Sequence, residues 1–331
     1  MAALNDNQVK ELLNSTLANV AKGAVENFRK AHPLYETLSR NFSSQRGGSS
    51  MELNVILRGA TAPTLTTDAS IAFSPAAAPS ILERASYTFD SAEVGQVRVP
   101  FMLLQKNQGK DAVLDLLATY RESLMYQFQT SFVTAMHRLD GDRPAGSVLS
   151  LDSLCNDDVT EVGGIDYTDA GNSSWRPVTQ SAAGETDPKK IVRNLIDALL
   201  LNSDGVRPDV LLCGKNLWDM VREYLDAHTQ LTAVGSTSSI EMAWDSVKFG
   251  GIDLRWDYDC PDDRAYALHT PSLHWRYLND AFMAAQDPQL VYVLEGGEVK
   301  NTMDKTYPVV SIMSVGTKSR RNLGLVTGIG A

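Results

Sequence analysis

The sequence is short of the residues on which most catalytic and binding chemistry depends. Three cysteines, Cys155, Cys213 and Cys260, stand far apart in 331 residues, with no CxxC pair. An odd, scattered set argues against a disulfide framework and points to a reducing compartment. The five histidines occur singly, and no HExxH, GxSxG, complete P-loop or calcium-loop pattern is present. No apolar run approaches the roughly 20 residues that span a bilayer. Residues 1–10 are polar where a secretory signal needs a basic start and an apolar core. Positive charge is in deficit too, with 30 Lys and Arg against 40 Asp and Glu, a net −10. A protein that coats nucleic acid needs a broad basic face, so this balance argues against that class. The expectation is a soluble, intracellular chain with neither cofactor nor metal.

What is present is ordinary globular material, 43% hydrophobic and 21% charged, enough for one large domain or two to three smaller ones. Residues 4–31 carry apolar positions at helical spacing (Leu12, Leu13, Leu17, Val20, Val25, Phe28), with Pro33 expected to help end the helix. Gln45 to Ser50 has hinge composition. Glu52–Leu57, Arg84–Phe89 and Val94–Val99 read as strands of a long hairpin, with an Ala/Thr/Ser/Pro-rich tip over 60–80. Such a ribbon is marginal in water and must lie on something else. Lys110 to Leu139 reads as a helix of about eight turns, roughly 45 Å. Its core face includes Leu117, Tyr120, Leu124, Phe128 and Phe132.

After a loop-rich middle, Asp187-Pro188 caps a helix through Leu201. Pro208–Gly214 reads as a buried strand and Asn216–Asp226 as an amphipathic helix. Val247–Trp256 alternates about Gly250-Gly251, and Ala265–His269 and Leu290–Leu294 are short strands. A C-terminal hairpin is expected from Val309–Gly316 and Leu323–Ile329.

Candidate chemistry is sparse. Asp257, Asp259, Asp262 and Asp263 cluster near His269 and His274, the one place where a metal-dependent α/β enzyme could be sought. The same stretch also has the composition of a solvated turn. Gly214-Lys215 follows a strand and opens a helix, but lacks the flanking residues of a phosphate loop. Lys318-Ser319-Arg320-Arg321, the one dense basic patch, reads as a solvated hairpin turn.

One phrase is more specific. Gly163-Gly164-Ile165-Asp166, a polar insert, and then Trp175-Arg176 resemble a phrase of tailed-bacteriophage major capsid proteins. The resemblance extends in order through Pro208–Trp218, Phe249-Gly250-Gly251-Ile252, Tyr258-Asp259 and the turn at Tyr277-Leu278-Asn279. It implies an α+β Hong Kong 97-type fold: an N-terminal arm (1–50), an extended E-loop hairpin (51–105), a peripheral domain with a spine helix (106–186), an α/β axial domain (187–300) and strands returning to the peripheral domain (301–331). It further implies a structural coat protein, not an enzyme, forming hexamers and pentamers of an icosahedral shell around double-stranded DNA. An encapsulin-like nanocompartment shell shares the fold and is the alternative. Implied partners are other copies of itself, a portal and decoration proteins. A separate scaffolding protein is expected, because the N-terminal scaffolding segment that some relatives fuse to the coat is absent. The implied location is the virion, assembled in the host cytoplasm without a membrane. Some relatives weld subunits through an E-loop lysine; between Ala31 and Gln105 there is no lysine, so a non-covalent shell is expected. Arg58, Glu83 and Arg84 are then candidates for contacts between subunits, and Trp175 and Arg176 for anchoring the loop or an interface.

Overall fold

Proline opens the first described helix of the computed structural model, which describes residues 32–57, 82–89, 91–99, 116–144, 147–228, 247–249, 251–279, 292–293 and 305–330. Helix α1 spans Pro33–Ser39, with Pro33 in the first turn, where its missing N–H has no helical partner to lose. Pro33 was expected to help end a helix over 4–31; among the described residues it begins the next one. The helix expected over 4–31 and the hairpin tip over 60–80 lie outside the described residues.

Strand β1 (Phe42–Arg46) follows, then a two-stranded antiparallel ribbon of β2 (Ser50–Ile56) and β3 (Leu82–Thr88). Its register runs from Ser50 opposite Thr88 to Ile56 opposite Leu82. Burial alternates as the pleat requires: Met51, Leu53, Val55, Ala85 and Tyr87 point inward, while Ile56 and Leu82 are 70% and 65% exposed. The third expected hairpin strand leaves the ribbon. It forms β4 (Ser91–Val99), paired along its length with β14 (Lys305–Thr317). The long helix α2 is described over Leu116–Met136, about 30 Å at 1.5 Å per residue.

Short elements follow: α3 (Leu151–Cys155), β5 (Glu161–Val162), β6 (Ile165–Asp166) and β7 (Val178–Ser181). Helix α4 (Pro188–Asn202) starts where expected, the Asp187 carboxylate accepting from Lys189 N–H at 2.9 Å, a standard N-cap bond. Then come β8 (Val210–Cys213), α5 (Lys215–His228), β9 (Val247–Phe249), β10 (Ile252–Trp256), β11 (Ala265–Leu268), β12 (Leu273–Asn279), β13 (Tyr292–Val293) and β15 (Gly324–Thr327). Tyr277-Leu278-Asn279 is thus the end of a strand, not a turn.

Beside the two-stranded pairs β2–β3 and β5–β6, two larger sheets organise these strands. One contains β1, β12, β14 and β13 in that order, with β4 also on β14; the other runs β7-β15-β11-β8-β10-β9. The expected C-terminal hairpin does not form, since β14 and β15 sit in different sheets. The six-stranded sheet separates two hydrophobic cores. Val210, Leu212, Tyr266, Leu268 and Leu325 face the core shared with α1, α2 and the ribbon. Their neighbours Leu211, Cys213, Ala265, Ala267 and Val326 face the core under α4 and α5. The period of two sends alternate residues to opposite faces, and with both faces covered the run is apolar throughout.

An aromatic cluster ties the first core together. The Phe132 ring stacks on Trp275 at 4.5 Å, Tyr35 meets Trp275 edge-on at 5.4 Å, and Phe42 lies between Trp275 and Tyr277. Four separate elements meet there: α1, β1, α2 and β12.

Candidate functional site

The Gly163-Gly164 turn is the seat of the ribbon. Both glycines have positive φ, +66° and +76°, as the tight β5–β6 connection requires. Only Gly163 is also sterically confined. A Cβ there would stand 3.1 Å from the Tyr87 ring and 3.2 Å from Ala85 Cβ, whereas Gly164 has open space. Ser86 N–H donates to Gly163 O at 2.9 Å, binding β3 to the turn. From the other side Gly316, on β14, lets the Tyr87 ring approach; a Cβ there would be 2.5 Å from it. Tyr87 OH donates to Thr317 O at 2.8 Å, and burial pushes that phenol up to about 12. Tyr87 is therefore a bolt through the ribbon base, gripped by two glycines.

Trp175 closes the seat. Its indole is 1% exposed and donates from Nε1 to Val162 O at 3.2 Å. The adjacent Ser174 hydroxyl donates to Leu57 O at 2.7 Å, at the far end of β2. Arg176 pairs with Asp157 at 2.9 Å and lies 5.7 Å over the Tyr167 ring. Burial gives Trp175 an internal anchoring position. Arg84 pairs with Glu52 across the ribbon at 2.8 Å, both well exposed; Glu83 is half-buried opposite Val55. Arg58 lies outside the described residues. In α2, Phe128 and Phe132 are buried, while the side chains of Leu117, Tyr120 and Leu124 lie outside the description.

The basic patch is not a solvated turn. Arg320 is 0% exposed, its guanidinium donating to Leu154 O, Ser153 O and Asn156 O at 3.0, 3.0 and 2.7 Å. These carbonyls belong to the end of α3 and the residue beyond it, where helical acceptors run out, and the fork of donors supplies them. Burial lowers the guanidinium to about 10. Nothing in the local sequence distinguishes Arg320 from the exposed Lys318 or the partly exposed Arg321.

The acidic stretch is likewise not a solvated turn throughout. Asp257 is 0% exposed and Cys260 is buried, although Asp262 and Asp263 are exposed. The loop packs so tightly on Gly214 that a Cβ there would be 2.1 Å from Pro261 O. Acids and histidines do not converge as the metal idea required. His269 bonds Ser272 at 2.6 Å and lies near Asp209. His274 is lowered to about 4 by burial and by the charges of Lys318 and Arg276. Among the described residues no group of three His, Cys, Asp or Glu side chains could hold a metal ion, and no helix is long and apolar enough to cross a membrane. Asp257 lies 3.8 Å from His137, and Asp259 3.3 Å from His32.

No family model and no curated protein matches the sequence. Solved structures do. The cyanophage A-1(L) capsid asymmetric unit contains a chain with TM-score 0.70 and 15% identity, covering 95% of this chain and 98% of that one. The capsid of the native GTA particle gives 0.58 and 12%, over 93% and 95%. The holo-SrpI encapsulin complex from Synechococcus elongatus PCC 7942 gives 0.56 and 10%, over 99% and 96%. The chain has the mixed α+β fold of phage capsid proteins over nearly its whole length.

Proposed function

We propose that this chain is a major capsid protein that self-assembles as hexamers and pentamers into an icosahedral shell around double-stranded DNA. The observation that carries the reading is the capsid fold running over 95% of the chain and 98% of the cyanophage capsid chain. The divisions at residues 50, 105, 186 and 300 would then be arm, E-loop, peripheral domain with spine helix, axial domain and returning strands. The cross-strand pair Ile56 and Leu82, apolar and mostly exposed, suits an E-loop that a neighbouring copy covers. Arg58, Glu83 and Arg84 are the charged candidates for that contact. The acidic balance suits a wall that confines DNA without gripping it. A separate scaffolding protein, a portal and decoration proteins would be the further partners. The product would be the virion, assembled in the host cytoplasm.

The likeness to SrpI encapsulin supports a second reading, a nanocompartment shell around a protein cargo. Negative-stain microscopy of the purified protein tests both. Shells or capsomers are expected, and a small monodisperse particle would refute both readings. Nucleic acid inside particles from infected cells supports the first; a protein cargo supports the second.

A further inference from the structure

Four ionisable side chains, three of them buried and Asp259 partly so, meet where three parts of the chain come together. His32 stands at the entry to α1, His137 follows the end of α2, and Asp257 and Asp259 lie on the loop after β10. His32 Nδ1 is 3.3 Å from Asp259 Oδ2, and its Nε2 is 3.2 Å from the Thr130 hydroxyl on α2. Asp257 Oδ2 accepts from Leu34 N–H in α1 at 3.2 Å, and its Oδ1 from Asp259 N–H at 3.2 Å.

His137 is the odd member. Its Nδ1 lies 3.1 Å from Val133 O, an acceptor only, so Nδ1 carries the hydrogen and Nε2 of the neutral ring is a lone pair. That lone pair faces Asp257 Oδ2 at 3.8 Å, with both side chains at most 1% exposed. His137 Nε2, His32 Nδ1 and Asp259 Oδ2 are all buried without a hydrogen-bond partner. Leaving such atoms unpaired costs stability.

We infer that His32, His137, Asp257 and Asp259 form a proton-sensitive latch, which holds α1 against the end of α2 and the loop after β10 at neutral pH and loosens in acid. The inference rests on this geometry and not on the shell reading. Burial lowers the proton affinity of His137 more than the charges of Asp257 and Asp259 raise it, and His32 lowers it further. An exposed imidazole titrates near 6.5, so the opened latch takes up a proton at higher pH than the closed one. The latch is therefore at full strength above about 6.5 and weakens as pH falls below it.

The other groups around His137 do not reverse that sign. Tyr266 on β11, 6.2 Å away ring to ring, is raised by burial and keeps its proton. Cys213 and Cys260, close to Asp257, are raised by burial and stay neutral thiols. Glu36 and Arg255 pair with each other at 3.4 Å, and Arg264 pairs with Asp152.

Hydrogen exchange on the full-length protein, corrected for intrinsic rates, tests this between about pH 7.5 and 5. Protection over residues 32–39 is expected to fall by up to about tenfold per pH unit below 6.5, the limit for one proton, with residues 191–199 of α4 unchanged. In H137Q, which keeps a polar group but cannot titrate, most of that pH dependence should vanish. Wild-type protection over 32–39 that is flat across the range would overturn the latch, as would H137Q tracking the wild type. Should H137Q fail to fold, the wild-type series decides alone.

Discussion

At Gly163 two demands fall on one residue. Its backbone needs φ +66°, and its missing side chain is the space that Tyr87 and Ala85 occupy. Gly164 meets only the first demand, with φ +76° and nothing within 4 Å. Ala at Gly164 is expected to cost about 1 kcal/mol for the left-handed backbone, and Ala at Gly163 about 2–3 kcal/mol, because displacement of the Tyr87 ring adds to it. Chemical denaturation of both variants measures the difference, and equal losses would mean the seat has slack. Trp175→Ala removes a fully buried indole and its bond to Val162 O. A loss of about 3–5 kcal/mol is expected, with shell yield falling in step; normal yield and heat resistance would contradict an anchoring role.

Elements are held together here by groups that cross between them. Arg320 follows β14 yet satisfies the carbonyl end of α3, coupling the two. Arg320→Met leaves three buried acceptors unpaired and should cost about 3–5 kcal/mol, by analogy with breaking a buried ionic network. Arg320→Lys should recover only part of this, since an ammonium has no planar fork. Thermal melts of the pair check it; full rescue by Lys would show that charge, not shape, is what the site requires. The elements themselves were mostly legible in the sequence. Alternation marked β2 and β3, and Asp187-Pro188 marked the start of α4, because both signals are local. Pro33 was read only as a stop; that it also opens α1, with Leu34 and Leu38 buried, depends on packing that no local signal carries.

For the whole molecule, the missing lysine between residues 31 and 105 makes a chemical statement that needs no coordinates. Particles boiled in denaturant should run as a single band near 36.2 kDa. A ladder of covalent oligomers would contradict the proposed non-covalent shell. Partnership between distant strands was less visible. The departure of β4 from the ribbon to β14, and the separation of β14 from β15, involve pairings far apart in sequence. Alternation says that a strand has an inner face but not which strand lies beside it.

The Gly163–Trp175 phrase shows where the boundary lies. By itself the sequence determined the order of elements, the turn glycines, the buried strands and a resemblance that pointed to the fold, since each depends on residue type and short-range spacing. Only the tertiary structure decided that Gly163 is kept bare for Tyr87, that Arg320 and Asp257 are buried, and that two histidines meet two aspartates. Burial of a charged side chain depends on what arrives from elsewhere in the chain to pair with it, and no local pattern carries that information.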